Sequence, residues 1–241
     1  MLKGKKIVLG VTGGIAVYKA VDLVSKLRKQ GAEVRVVMTE HAQQFVTPLT
    51  FKEISGNKVA VSMWNANQEF NVEHIALADW ADLFMVVPAT ANIIAKMAYG
   101  IADDLLSTTL LAAHSPVIVC PAMNTHMYEN PATQENIAKI KSRGIVVMPP
   151  ASGILACGAV GAGRLPADIV NFVKDFFAKT EGDMRGLKVL VTAAGTREPI
   201  DPVRYVGNRS SGKMGYSIAQ AAAERGAEVT LVTGPSALTP P

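Results

Sequence analysis

The sequence is short of cysteine, of long apolar runs and of any block of one charge, and each shortage removes a class of protein. Two cysteines in 241 residues, Cys120 and Cys157, have no partner at disulfide or metal-ligand spacing, which excludes a disulfide framework and a zinc site. No apolar stretch approaches the roughly 18 residues a membrane span needs. The basic start, Met1-Leu2-Lys3-Gly4-Lys5-Lys6, is followed by a strand-length, glycine-interrupted segment without a cleavage pattern, so it does not read as a secretory signal. Lysine and arginine are scattered, and a net charge of +4 without a basic stripe argues against nucleic acid. No metal, membrane or nucleic acid is therefore expected, and a cytoplasmic protein is.

What is present suffices for a full core. With 49% hydrophobic and 18% charged residues, the chain fits one large domain, or one plus part of another. Its organising stretch is Val117-Ile118-Val119-Cys120-Pro121-Ala122-Met123-Asn124. The first four residues predict a strand buried on both faces of a parallel sheet. Pro121 cannot donate to a ladder, so the chain is expected to leave the sheet there, at the carboxyl edge where open α/β sheets bind ligands. Asn124 then either holds a small polar group or caps the turn that follows. Cys120 reads as an inert buried thiol.

The N-terminal part reads as a β-α-β unit: a strand over 6–11, Thr12-Gly13-Gly14, a helix over 15–30 and a strand over 33–38. The helix follows from the spacing of Ile15, Val17, Val21, Val24 and Leu27. Two glycines and a hydroxyl at a helix N-terminus suit an anion. The spacing is not G-x-G-x-x-G, and Thr39 rather than an acid ends the second strand, which favours a mononucleotide phosphate over an NAD ribose. The alternative is a glycine turn needed only for packing. A short helix over 47–56, an edge strand or extended segment over 59–63 and a polar stretch over 65–71 precede His74. That histidine opens a helix and is either an ordinary polar residue or a proton exchanger near neutral pH. After a strand over 83–87, the small residues of Pro88-Ala89-Thr90-Ala91-Asn92 let backbone approach a ligand, with Thr90 and Asn92 offering hydrogen bonds. Helices over 93–99 and 105–113 follow, and the hydroxyls of Ser107, Thr108 and Thr109 read as bonding back to their own helix.

A helix over 131–143 and a strand over 145–148 lead to the glycine-rich segment 149–163, expected to be a mobile loop without a core, a candidate lid. Cys157 lies in its middle, where packing gives a thiol no purpose. A helix over 166–179 closes the first domain, 1–179, and 180–186 reads as a polar linker. The remainder, 187–241, holds two strands and one helix, and roughly 55 residues of that kind do not bury an α/β core alone. Gly207-Asn208-Arg209-Ser210-Ser211-Gly212-Lys213-Met214 nearly spells a P-loop. Met214 stands where a hydroxyl would hold magnesium, and no strand is expected to lead into Gly207, so an NTPase is rejected. A phosphate-contacting glycine loop is retained.

Val11-Thr12-Gly13-Gly14-Ile15-Ala16, Pro88-Ala89-Thr90-Ala91-Asn92, Pro121-Ala122-Met123-Asn124 and Ala156-Cys157-Gly158 occur in that order. Together they resemble the flavin-dependent cysteine decarboxylases, in particular the phosphopantothenoylcysteine decarboxylases of coenzyme A biosynthesis. Thr196-Arg197-Glu198-Pro199-Ile200-Asp201-Pro202-Val203-Arg204 and Asn208-Arg209-Ser210-Ser211-Gly212-Lys213-Met214-Gly215 look like the start of the fused phosphopantothenate–cysteine ligase. The resemblance spans essentially the whole chain.

It implies a Rossmann-like (flavodoxin-like) doubly wound parallel sheet followed by an incomplete second α/β unit. It implies FMN on Gly13, Gly14, Ile15, Thr39, Thr90, Ala91, Asn92 and Ser107. The implied reaction converts 4'-phosphopantothenoylcysteine to 4'-phosphopantetheine: the thiol is oxidised to a thioaldehyde, carbon dioxide leaves to give an enethiolate, and a hydride is returned. His74 would serve oxidation and decarboxylation, Asn124 with Met123 would bind the substrate carboxylate, and Cys157 would donate a proton to the enethiolate. Homo-oligomers built from trimers are implied, with the site between subunits. CTP and Mg2+ belong to a complete ligase half, where Arg204 and Asn208 match residues implicated in ligation, and no ligase activity is expected from this chain alone. Two positions depart from the family: Ala159, where lids carry an acid, and Ala194, where the ligase has glycine. A non-catalytic flavin-binding regulator is disfavoured by His74, Asn124 and Cys157 standing together. A dehydrogenase is disfavoured by the missing dinucleotide motif. A peptidyl-cysteine decarboxylase is disfavoured by the attached ligase segment.

Overall fold

The computed structural model describes residues 2–64, 73–149 and 165–240, together with the backbone of 151–154 and 160–163. The chain forms two compact units, Met1–Val170 and Asn171–Pro241. In order, the first holds β1 (Lys6–Val11), α1 (Val17–Lys29), β2 (Glu33–Met38), α2 (Glu40–Gln43), α3 (Pro48–Ser55), β3 (Val59–Ala60), α4 (Glu73–Trp80), β4 (Leu83–Ala89), α5 (Ala91–Tyr99), α6 (Leu105–Ala112), β5 (Val117–Pro121), β6 (Met123–Asn124), α7 (Thr125–Glu129), α8 (Pro131–Ser142), β7 (Val146–Val147), β8 (Ala151–Ile154) and β9 (Val160–Gly163). The division into units falls inside α9 (Pro166–Glu181), ahead of the linker expected at 180–186.

Six parallel strands run in the order β3-β2-β1-β4-β5-β7. This is the Rossmann order, and the chain's direction of travel across the sheet reverses between β1 and β4. Every residue of β4 is buried, as a parallel strand covered on both faces requires. Helix α1 buries Val17, Ala20, Leu23, Val24 and Leu27 and ends at Gly31, whose φ is +90°, the left-handed stop that glycine adopts without a Cβ penalty. The helix begins two residues later than its apolar spacing predicts: Ile15 lies in the preceding turn and is 49% exposed. In α6, Asp104 accepts from the Ser107 amide and the Ser107 hydroxyl accepts from the Asp104 amide, a reciprocal capping box. Thr108 and Thr109 donate to the carbonyls of Asp104 and Leu105 at 2.7 and 2.6 Å, the back-bonding expected of that hydroxyl run.

Pro121 does not end the sheet pairing: it stays in register with Ala89, beyond an irregularity in β4 between Val86 and Ala89. Ala122 then donates to the Ala89 carbonyl at 3.0 Å, so the following amide supplies the bond that proline lacks. The segment 149–163, expected as a loop, contains two strands. Its β8 and β9 form an antiparallel hairpin, and β9 pairs with β6, setting Gly161 opposite Asn124 and Ala162 opposite Met123. Glycine and alanine leave no apolar alternation from which such strands could be read. Cys157 and Ala159 lie outside the described residues, as does the polar stretch 65–71.

The second unit continues with β10 (Lys188–Ala193), β11 (Arg197–Pro199), β12 (Tyr205–Gly207), α10 (Lys213–Glu224) and β13 (Glu228–Thr233). β10 and β13 pair in parallel, and β11 and β12 form a separate antiparallel ribbon. Residues 180–186 are not a free linker. α9 runs through Glu181, the Met184 amide donates to the Arg225 carbonyl at 3.0 Å, and Asp183 pairs with Arg225. A strand does lead into Gly207, against one premise for rejecting the P-loop. It belongs to the two-stranded ribbon, however, and Met214 still lacks the hydroxyl a magnesium ion would need.

Candidate functional site

The carboxyl ends of β1, β2 and β4 open into a cavity of about 580 Å³. Its walls are Thr12 and Gly13 after β1, Thr39, Glu40 and His41 after β2, and Thr90, Ala91, Asn92, Ile93 and Lys96 after β4. Asp103, Asp104 and Met127 complete it. The reversal of strand order between β1 and β4 creates this crevice, because the two outgoing loops turn to opposite faces. Thr90 caps α5, its hydroxyl oxygen accepting from the Ile93 amide at 3.4 Å, and Thr39 does the same for the Ala42 amide at 3.3 Å. The first amides of α5 thus face a cavity at the positive end of a helix, where an anion is stabilised.

The two glycines after β1 differ. A Cβ on Gly13 would lie 2.4 Å from the His41 Cβ and 2.9 Å from its carbonyl carbon, so packing alone demands glycine there. A Cβ on Gly14 would meet only the Thr90 Cγ2, at 3.7 Å, and Gly14 has no positive φ. Nothing in the protein's own packing demands glycine at 14.

The rim also carries charge, with one lysine held between two aspartates. Lys96 Nζ lies 2.6 Å from Asp103 and 3.0 Å from Asp104. Burial pulls the Lys96 ammonium down, but the hydrogen bonds and charges of the two aspartates outweigh it and hold it above its ordinary value. The hydrogen bond from Lys96 holds the Asp103 carboxyl below the usual range. Among the described residues no cluster of His, Cys, Asp and Glu suits a metal ion, and no helix is long and apolar enough to cross a membrane.

Five of the residues singled out from sequence, Gly13, Thr39, Thr90, Ala91 and Asn92, meet in this cavity. Gly14 and Ile15 continue the turn without lining it. Ser107 lines a smaller hollow of about 160 Å³, which also touches Lys96 and Arg143, and its hydroxyl is engaged in the cap of α6. Asn124 caps α7 through Oδ1, which accepts from the His126 amide at 2.9 Å. Its neighbour Met123 is buried, and Met127 of the same helix reaches the cavity. His74 stands half-buried in the first turn of α4, away from the cavity lining. In the second unit Arg204 Nε donates to Asp201 at 2.6 Å. The amides of Arg204 and Val203 together with that guanidinium hold the Asp201 carboxyl below its usual range. Asn208 donates to the Thr196 hydroxyl at 3.3 Å and accepts from the Ser210 amide at 3.0 Å. Sequence reasoning missed Glu40, His41, Lys96 and the two aspartates as cavity residues. Asp104 could have been found as an N-cap before an apolar helix, whereas nothing local brings Lys96 to it.

Residues 1–178 match the flavoprotein family, and 184–241 match the C-terminal domain of the DNA/pantothenate metabolism flavoproteins. The chain is 51% identical to the coenzyme A biosynthesis bifunctional protein CoaBC of Haemophilus influenzae, an alignment covering 100% of this chain and 60% of that protein. Among solved structures, the FMN-dependent cysteine decarboxylase SpaF superposes with a TM-score of 0.63 at 32% identity, covering 71% of this chain and 96% of SpaF. A PPC decarboxylase mutant complexed with pantothenoylaminoethenethiol gives a TM-score of 0.63 at 31% identity, over 73% of this chain and 99% of the other. The chain thus spans about 60% of the length of the curated relatives it matches. With its sheet order, its cleft at the strand reversal and this match over 1–178, the chain belongs to the flavoprotein family.

Proposed function

We propose that the first unit binds FMN in the β1/β2/β4 cleft and decarboxylates 4'-phosphopantothenoylcysteine to 4'-phosphopantetheine. The observation that carries this reading is the meeting of Gly13, Thr39, Thr90, Ala91 and Asn92, from three separate strand ends, in one cavity at the sheet's reversal point. The residues present fit the flavin. A cavity of about 580 Å³ has the size of a small-molecule site, and Gly14 leaves open a space that a side chain would fill. Lys96 is already paired with two aspartates, so the phosphate belongs at the glycine turn and the start of α5, where backbone amides carry the positive field. Bound there, FMN supplies the acceptor and donor of the two electrons that the thiol oxidation and its reversal exchange.

The chain's own residues supply the rest. Asn124 has its carbonyl oxygen occupied by the His126 amide, which leaves the side-chain NH2 to face a ligand, and a pure donor suits the substrate carboxylate. His74 exchanges the proton of the substrate thiol near neutral pH. Cys157, which follows β8 and precedes β9 in the sequence, protonates the enethiolate. Ile15 and Ser107 extend the flavin contacts. The working form is a homo-oligomer built from trimers. In the second unit, Arg204 and Asn208 would serve a ligase half that uses CTP and Mg2+ only when complete.

Mass spectrometry of 4'-phosphopantothenoylcysteine incubated with the purified protein tests the reading. A product lighter by carbon dioxide alone supports it. Loss of carbon dioxide with two hydrogens assigns oxidation to the site and removes the reductive half. Unchanged substrate with flavin bound overturns the decarboxylase and leaves a flavin-binding regulator.

A further inference from the structure

The ladder between β1 and β4 pairs Ile7 with Leu83, Val8 with Phe84, Leu9 with Met85 and Gly10 with Val86, and there it stops. Pro88, two residues further along β4, has no amide to continue it. Beyond that point the two strand ends are joined through one side chain. The hydroxyl of Thr12, 2% exposed, lies 2.7 Å from the Pro88 carbonyl oxygen, 3.2 Å from the Thr90 amide nitrogen and 3.3 Å from the Thr90 hydroxyl.

A threonine hydroxyl has one proton and two lone pairs. The Pro88 carbonyl is its shortest partner and can only accept, so the Thr12 proton goes there. The Thr90 amide can only donate, and it takes one lone pair. The Thr90 hydroxyl oxygen lies 3.3 Å from the Thr12 hydroxyl oxygen and itself accepts from the Ile93 amide. Thr12 lines the cavity, yet its proton and one of its lone pairs are already committed to the protein.

We propose that Thr12 is a positioning residue of the flavin cleft. Its hydroxyl replaces the ladder that Pro88 interrupts, fixes the gap between the Gly13-Gly14 turn and the start of α5, and orients the Thr90 hydroxyl. The inference rests on the flavin reading above, in that the gap it sets is the one FMN would occupy.

The test compares Thr12→Val, Thr12→Ser and, as a control, Thr109→Val in the full chain. Thr109 is likewise fully buried, and its hydroxyl bonds within α6, outside the cavity lining. FMN titration gives the dissociation constant, urea unfolding of the flavin-free protein gives stability, and hydrogen exchange reports the Thr90 amide. Thr12→Val, nearly isosteric, leaves the Thr90 amide and Pro88 carbonyl without their partner. It should weaken FMN binding by about tenfold or more and speed exchange at Thr90 in the flavin-free protein. Thr12→Ser should restore both to within about threefold, as it keeps the same donor and acceptor capacity. Thr109→Val should lower stability without weakening FMN. Equal weakening by both valine variants would overturn the proposal in favour of general destabilisation. Thr12→Val with wild-type FMN affinity and wild-type Thr90 exchange would overturn it outright. A Thr12→Val protein that does not fold leaves Thr12→Ser to decide, since unprotected Thr90 in that variant would overturn it too. Wild-type protein that binds no FMN while the Thr90 effects persist would sink the flavin reading and leave only the clamp.

Discussion

The two units use the same β-α-β device in opposite surroundings. In the first, β1 is buried from Ile7 to Val11 and β4 throughout. In the second, β10 and β13 pair in parallel over six residues, yet Leu190 is 69% and Val232 53% exposed while Val191 is buried. Both pairs of strands carry apolar residues on both faces. The difference is cover: within the second unit α10 lays Tyr216, Ala219 and Ala222 against one side. An apolar run therefore states what a strand tolerates, while burial depends on how many layers the chain supplies.

The widest separation between the two strand pairs should appear on truncation. Phe84, fully buried in the core around β4, should lose about 3–5 kcal/mol on Phe84→Ala, through transfer and an unfilled cavity. Leu190→Ala, at an exposed site, should change stability by about 0.5 kcal/mol or less. Hydrogen exchange read separately for β4 and β10 resolves the two, because such protection is regional. A loss at Leu190 comparable to that at Phe84 would mean that its face is covered in solution, and the contrast would collapse.

The glycines of the first unit sharpen the contrast from the other side. Gly13→Ala forces a methyl against His41 and should cost about 1–3 kcal/mol by overpacking, with FMN binding lost alongside stability. Gly14→Ala meets nothing closer than 3.7 Å. It should leave stability within about 0.5 kcal/mol while weakening FMN by about tenfold or more, because the methyl enters space the ligand would need. Urea unfolding beside FMN titration checks both. Unimpaired FMN binding by Gly14→Ala would remove the turn from the proposed flavin site.

These cases also show what was legible in the sequence. The central strands, α3, α5 and α8, and the edge position of β3 followed from apolar period and from Gly and Pro punctuation. The turn after β1 was recognisable as a candidate site, because glycines at a strand-to-helix junction have a short list of physical reasons. Which glycine served packing was not, since the His41 contact spans the sheet edge. The β8–β9 hairpin escaped because glycine and alanine satisfy backbone pairing without apolar alternation. β11 and β12 escaped because their residues are exposed and three-residue strands carry no period. Asn124 was read with both its possible roles open, and its capping of α7 is the one seen. Lys96 joins Asp103 and Asp104 only once α5 and α6 are folded, and no local signal predicts that.

The smallest expected effect lies in the second unit's own loop, at the counterpart of the Gly13-Gly14 turn. Ala194 follows β10 with φ of +82°, where every other described residue of positive φ is glycine. A Cβ in that region crowds the following carbonyl at about 1–2 kcal/mol, and Gly212 approaches so closely that its own Cβ would lie 2.7 Å from the Ala194 amide nitrogen. Ala194→Gly removes the strain but frees the unfolded chain, which costs about 0.5–1 kcal/mol. The net expectation is a gain of about 0.5 kcal/mol confined to the second unit, read as slower exchange of the β10 and β13 amides with those of β1 and β4 unchanged. A loss instead would show that the Ala194 methyl contributes packing that outweighs its strain. The second unit would then resemble the first in having loops fixed by contact rather than by backbone freedom.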